Sequence, residues 1–269
     1  MTQNDEDIIA EMQVAVEKEE FMRDFLAFLG YVTKTKVKLT PELEMIPRKH
    51  IVEINKLLVH PLKIEDKIGD KVFKFHENNL PRIRFIDMLL MASGVMDVRK
   101  NTLVKGHLYD EIIALDPLNK KRWLALSWWF EFDFQAWGPY GGEFGERLCT
   151  KRLEMIPFFE KWAETPGSFS FKDTFTSLME TLHLYWGAPN KSFERQGVEL
   201  GLWYCVFMPL QMMHIIDIKY APGGPLGLKD AQEFSLNRIG RTIMREIIKA
   251  GETIYRNEFV ASMKRKLLH

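Results

Sequence analysis

The residues able to do chemistry are scattered along this chain. Its two cysteines, Cys149 and Cys205, lie far apart and match no metal spacing, so they read as buried free thiols. The seven histidines, His50, His60, His76, His107, His183, His214 and His269, include no pair at ligand spacing on one helix, and no metal is assigned. A phosphate-binding Walker loop, a His-Glu-x-x-His motif, a dinucleotide fingerprint and a Gly-x-Ser-x-Gly elbow are all missing from the sequence. The glycine-rich run GPYGGEFG at 138–145 would need a preceding strand and a nearby cation to cradle phosphate, and Lys151 arrives late for that. No catalytic residue and no cofactor is expected. Glu131 and Asp133 stand out because aromatic residues surround them. If buried they need partners, for which Arg122 and Arg147 are the candidates.

Basic residues are more promising, because they gather at expected helix starts and in one expected hairpin. Arg48, Lys49, Arg99, Lys100, Lys105, Arg238 and Arg241 are the positions expected to touch nucleic-acid phosphate, with Arg82, Arg84 and Arg245 nearby in sequence. The competing reading of the same residues is a solvated face. Lys plus Arg and Asp plus Glu are equal at 37 each, which argues against strong non-specific binding to nucleic acid. The basic tail Lys264-Arg265-Lys266 is short and reads as a solvated terminus.

The elements that must carry these residues are mostly helices. Apolar residues at three-to-four spacing predict a helix over 5–29 with Gly30 as its C-cap. A short strand around Val37 and Leu39 follows, then a helix bearing Ile51, Ile54, Leu57 and Leu58. Residues 60–79 read as a connection or short helix. From Pro81 the pattern is again helical, and it stops at GVMDVRKNTLVKG, which reads as a two-stranded hairpin turning at Lys100-Asn101. The stretch 117–134, which holds Trp128 and Trp129, is apolar nearly all round and reads as a buried core helix rather than an aromatic groove. Further helices are expected over 151–162, 171–186 and 195–207.

The hairpin unit recurs. Val95-Met96-Asp97-Val98-Arg99 and Ile215-Ile216-Asp217-Ile218-Lys219 share one order of apolar, acidic and basic residues, and each follows an apolar helix and precedes another. Gly240 is expected at the place of Gly106. The phrases KVKLTPELEMIPRKHIVEINKLL and GVMDVRKNTLVKG, with the later MMHIIDIKY and FSLNRIGR, resemble a tandem winged-helix region of uncharacterised bacterial and archaeal proteins, related to helicase-associated winged-helix segments. The chain departs from that pattern at Lys105-Gly106, where a Thr-x-x-Gly return is commoner. The resemblance implies a fold and leaves function open.

The fold class expected is therefore mainly α, with winged-helix-like units and short β-hairpins around a central helical segment. The divisions expected are 1–116, 117–194 and 195–269. With 46% hydrophobic and 28% charged residues the chain has material for a core. It starts without a signal-peptide pattern, and its most apolar stretch, 202–210, is too short to span a bilayer, so a cytoplasmic location and no membrane are expected. The function expected is a non-enzymatic DNA-binding or regulatory adaptor. The alternative is a protein-interaction module.

Overall fold

In a computed structural model the chain is mainly helical, with 62% of residues in helix and only small antiparallel sheets. The structure describes residues 3–42, 44–68, 71–137, 142–187, 190–222 and 228–267. It divides into two compact units, Met1–Phe132 and Asp133–His269. The stretch 117–194 is thereby shared between them.

The first unit begins with α1 (Gln3–Lys18) and α2 (Glu20–Lys34), two helices where the spacing predicts one. Glu19 takes an extended conformation between them, and its carboxylate receives the Lys121 ammonium at 2.5 Å. Gly30 is not a cap. The helix runs on to Lys34, and Val32, two residues past the glycine, is buried. The extended segment Val37–Leu39 buries both apolar residues. Next come α3 (Arg48–Leu57), then β1 (Glu65–Ile68) and β2 (Lys71–Lys74), then α4 (Pro81–Ala92). Residues 60–79 thus hold a hairpin that was not expected, followed by a short 3-10 helix at Glu77–Asn79. The signal for the hairpin was Gly69-Asp70 between Ile68 and the run Lys71-Val72-Phe73-Lys74.

After α4 the chain makes the expected hairpin of β3 (Met96–Arg99) and β4 (Thr102–Lys105), pairing Met96 with Lys105 and Arg99 with Thr102. Lys100 and Asn101 both have positive φ, 50° and 56°, the turn whose twist matches a two-residue hairpin. The Val37–Leu39 segment joins the far side of β4, where Leu103 N–H donates to the Val37 carbonyl at 3.0 Å and Leu39 N–H donates to the Asn101 carbonyl at 2.8 Å. Two helices close the unit, α5 (Tyr109–Ala114) and α6 (Pro117–Phe130). α6 starts on Asp116, whose carboxylate accepts the Asn119 N–H, and buries Trp128 and Trp129 completely.

The second unit holds α7 (Gly142–Thr150), α8 (Ile156–Glu164), β5 (Phe169–Ser170), α9 (Phe171–Leu182), α10 (Lys191–Leu202) and α11 (Met208–Met212). A π-helical turn, Trp203–Phe207, connects the last two. Pro209 offers no N–H to the carbonyl four residues earlier, and a widened turn upstream is the common accommodation. Then β6 (Ile216–Tyr220) and β7 (Ala231–Leu236) lead into α12 (Arg238–Leu267). The sheet order is β5–β7–β6. Phe234 on β7 ties this sheet to the helices, with ring centroids 5.1 Å from Trp162, 5.2 Å from Phe171 and 5.1 Å from Phe207. Such ring pairs add about 0.5–1.5 kcal/mol each beyond the area they bury.

Apart from the β1–β2 hairpin that lies between α3 and α4 in the first unit, both units follow one order: helix, extended segment, helix, helix, antiparallel hairpin, with the early segment against the hairpin's second strand. The repeated stretch keeps a constant offset of 120 residues through the helix end and first strand. Ser93 N–H donates to the Leu89 carbonyl as Met213 N–H does to Pro209, and Gly94 N–H donates to Met91 as His214 N–H does to Gln211. Gly94 and His214 both have positive φ. Val95 and Met96 are buried as Ile215 and Ile216 are, while Asp97 and Asp217 are exposed. One expected match fails. Met96 pairs with Lys105 and Ile216 with Leu236, so Asn237 occupies the place of Gly106, and Gly240 lies inside α12. Asn237 Nδ2 donates to the His214 carbonyl, the counterpart of the Gly94 carbonyl against which a Cβ on Gly106 would collide.

Candidate nucleic-acid interface

Seven basic residues were expected to contact phosphate, and their surroundings differ. Arg48 begins α3, but its Nη1 donates to the carbonyls of Ile64 and Phe75, both at 2.9 Å, and its Nη2 pairs with Glu65 at 3.2 Å. It clamps the root of the β1–β2 hairpin. Arg241 in α12 donates from Nη1 to the carbonyls of Ala163 at 2.8 Å and Thr165 at 3.2 Å, closing the C-terminus of α8. A cation there suits the negative end of the helix dipole. These two guanidinium groups are spent on backbone.

The other five are exposed. Lys49 lies beside Arg48 on α3. Arg99 and Lys100 sit at the tip of the β3–β4 hairpin, Arg99 pairing with Asp97 at 3.3 Å across open solvent. A solvated pair of this kind contributes at most about 1 kcal/mol and yields readily to another anion. Lys105 rests its ammonium over the Tyr109 ring, 4.0 Å from the centroid. Arg238 is exposed at the first turn of α12 in the second unit. Arg99, Lys100 and Lys105 are thus brought together by one hairpin, and Lys49 and Arg238 belong to other elements.

The helix that precedes the hairpin in the first unit, α4, is closed off. Ile83, Phe85, Ile86, Leu89 and Leu90 are all buried. Its two arginines are held by carboxylates from the interior. Arg82 Nε pairs with the fully buried Asp24 at 2.6 Å, and Asp24 also accepts the Val59 N–H at 2.7 Å. Arg84 pairs with the fully buried Glu77 at 2.9 Å and with Asp87 at 3.5 Å. Glu77 accepts the Ile46 N–H as well. Burial, together with the charge of Glu77 and a hydrogen bond to it, pushes the Asp87 carboxyl well above the usual carboxylate range. That environment favours the protonated form of Asp87 beside Glu77 and Arg84.

Sequence reasoning missed the β1–β2 arm. All four residues of β2 are exposed, including Val72 at 53% and Phe73 at 46%. Lys63 pairs with Asp66 at 2.7 Å, and Glu65 goes to Arg48. Among the described residues no carboxylate pairs with Lys67, Lys71 or Lys74.

The remaining candidates fall into ordinary structural roles. Glu131 and Asp133 are exposed, so neither needs a buried partner. Asp133 Oδ1 accepts the N–H groups of Gln135 and Ala136 in a turn beyond α6. Arg147 lies instead across the Tyr185 ring and pairs with Glu143. The aromatic run divides: Trp128, Trp129 and Phe132 lie in the first core, and Phe134, Trp137 and Phe144 in the second. Half of the glycine-rich run, 138–141, lies outside the described residues. Burial pushes the Cys205 thiol well up, away from thiolate chemistry. Among the described residues no group of His, Cys, Asp and Glu could hold a metal ion, and no helix is long and apolar enough to cross a membrane. No family model, curated protein or solved structure matches this chain.

Proposed function

We propose that this chain is a non-enzymatic adaptor, made of two winged-helix-type units, that docks a protein partner. The repeated order of helix, strand, helix, helix and hairpin supports the winged-helix reading. The burial of α4 carries the choice of partner. In DNA-reading proteins of the helix-turn-helix kind the second helix of the motif enters the major groove. α4 holds that place in the first unit, and its apolar residues and both arginines face the interior. The surface the unit does offer is the β1–β2 arm, where Val72 and Phe73 stand among Lys67, Lys71 and Lys74. An acidic partner with an apolar patch is the complement of that arm.

DNA is the second reading, favoured by the exposed Arg99, Lys100 and Lys105 on one hairpin. One salt titration separates the two. Fluorescence anisotropy with a mixed-sequence duplex at physiological salt is expected to show binding no tighter than the non-specific range of about 10⁻⁴ to 10⁻⁶ M. Tight binding, with a log–log salt slope that falls by up to about 2.7 in the R99A/K100A/K105A variant, would put DNA in the place of the protein partner. For the arm, the Val72→Ser/Phe73→Ser variant should lose nuclease-resistant partners that the wild-type chain retains. Equal retention would reject the arm as the docking element.

A further inference from the structure

α12 is 30 residues long, and a helix of that length spans about 45 Å. Its first turns are core, with Ile243, Met244 and Ile247 fully buried. Beside its middle lies an open groove of about 540 Å³ with Leu153, Ile156 and Pro157 as its apolar floor. Glu154, Glu160 and Glu252 form an acidic rim. Lys151 pairs with Glu154 at 2.8 Å, whereas among the described residues no cation pairs with Glu160 or Glu252. Gly251 lines the groove from within α12.

An apolar floor with an acidic rim is the complement of a segment that mixes cations with large apolar residues. The end of this chain has that composition: Phe259, Val260, Met263, Lys264, Arg265, Lys266, Leu267 and Leu268. A molecule cannot seat its own end there. Lys264 follows Glu252 by 12 residues on one continuous helix, about 18 Å further along the axis. A second copy meets no such obstacle. Two α12 helices running antiparallel about a two-fold axis at residue 258 bring residue 264 of each beside residue 252 of the other. The contact is then reciprocal, as a closed two-fold pair requires.

We propose that the chain forms a two-fold dimer in which the last turns of α12 of each copy, from residue 259 to 267, lie along the groove between α8 and α12 of the other. The proposal is independent of what either unit docks. Because the rim is exposed, the dimer weakens as salt shortens the Debye length from about 10 Å at 0.1 M to about 3 Å at 1 M.

Sedimentation velocity of the full chain tests this, with charge reversals on each side of the contact. Wild type is expected to dimerise at low salt and to dissociate at high salt. Glu160→Lys/Glu252→Lys should be monomeric, and so should Lys264→Glu/Arg265→Glu/Lys266→Glu. An equimolar mixture of the two should form a heterodimer, since both of its contacts regain opposite charges. Deletion of 259–269 guards against a misfolded variant. It should leave thermal unfolding of the protein in place and abolish the dimer. A monomeric wild type, a dimer that survives either reversal or the deletion, or a mixture of reversals that stays monomeric would overturn the proposal.

Discussion

Asp87, buried beside Glu77 and Arg84, couples the first unit to pH. Its raised carboxyl means that the folded chain keeps a proton which the unfolded chain releases above the ordinary value near 3.8. Wherever the folded state binds more protons, stability falls as pH rises. Asp87 therefore contributes a loss of stability that begins near pH 4 and grows until its own raised value is passed. Asp87→Asn keeps a donor toward Glu77 and removes the titration. Urea unfolding should place the variant level with wild type near pH 4 and above it at pH 7. A variant less stable by the same amount at both values would mean that Asp87 is ionised in the fold. None of this was legible beforehand. The sequence puts Glu77 and Asp87 ten residues apart in a polar connection and a helix, and only the packing of α4 brings them onto one arginine.

Among the elements, the β1–β2 arm depends on one side chain from outside it. A two-stranded hairpin with both faces in water is marginal on its own. Arg48 stabilises it by holding the Ile64 and Phe75 carbonyls together, at the point where Phe75 N–H donates to Ile64. Arg48→Met removes hydrogen bonds from a charged donor, each contributing about 1.5–3 kcal/mol. Hydrogen exchange at the Phe75 amide should accelerate at least tenfold, while amides in the middle of α4 keep their protection. Unchanged exchange at Phe75 would show that the arm does not need the clamp. The β3–β4 hairpin, by contrast, was readable to within one residue at its strand ends, because its alternation and its Lys100-Asn101 turn are local signals. So was the burial of Trp128 and Trp129, which followed from a helix apolar on every side. The break at Glu19 was hidden because the carboxylate that ends α1 answers to Lys121, 102 residues away. Arg48 and Arg241 looked like surface cations for the same reason. Their acceptors are backbone carbonyls that the chain presents only once folded.

For the whole molecule, the repeat at an offset of 120 residues shows two units solving one packing problem with different residues. Leu103 in the first and Phe234 in the second are the buried residues opposite Val98 and Ile218, and the larger ring recruits Trp162, Phe171 and Phe207 around it. The neutral net charge fits this picture: the acids and bases meet one another, as at Arg82 with Asp24, before they meet a ligand. The added strand of each sheet also bears on how the chain reaches its native state. Lys38 meets Thr102 across 64 residues, and Phe169 meets Phe234 across 65. Closing a loop of that size costs roughly 3.7 kcal/mol of chain entropy in its length-dependent part, whereas the turn between β3 and β4 closes almost at once. Both units therefore face the same late event at nearly the same cost. The expected order is that the hairpin condenses first with the helix before it and the early segment is added last. A slow step in refolding should belong to that arrival, and substitutions at Val37 or Phe169 should accelerate unfolding more than they retard folding.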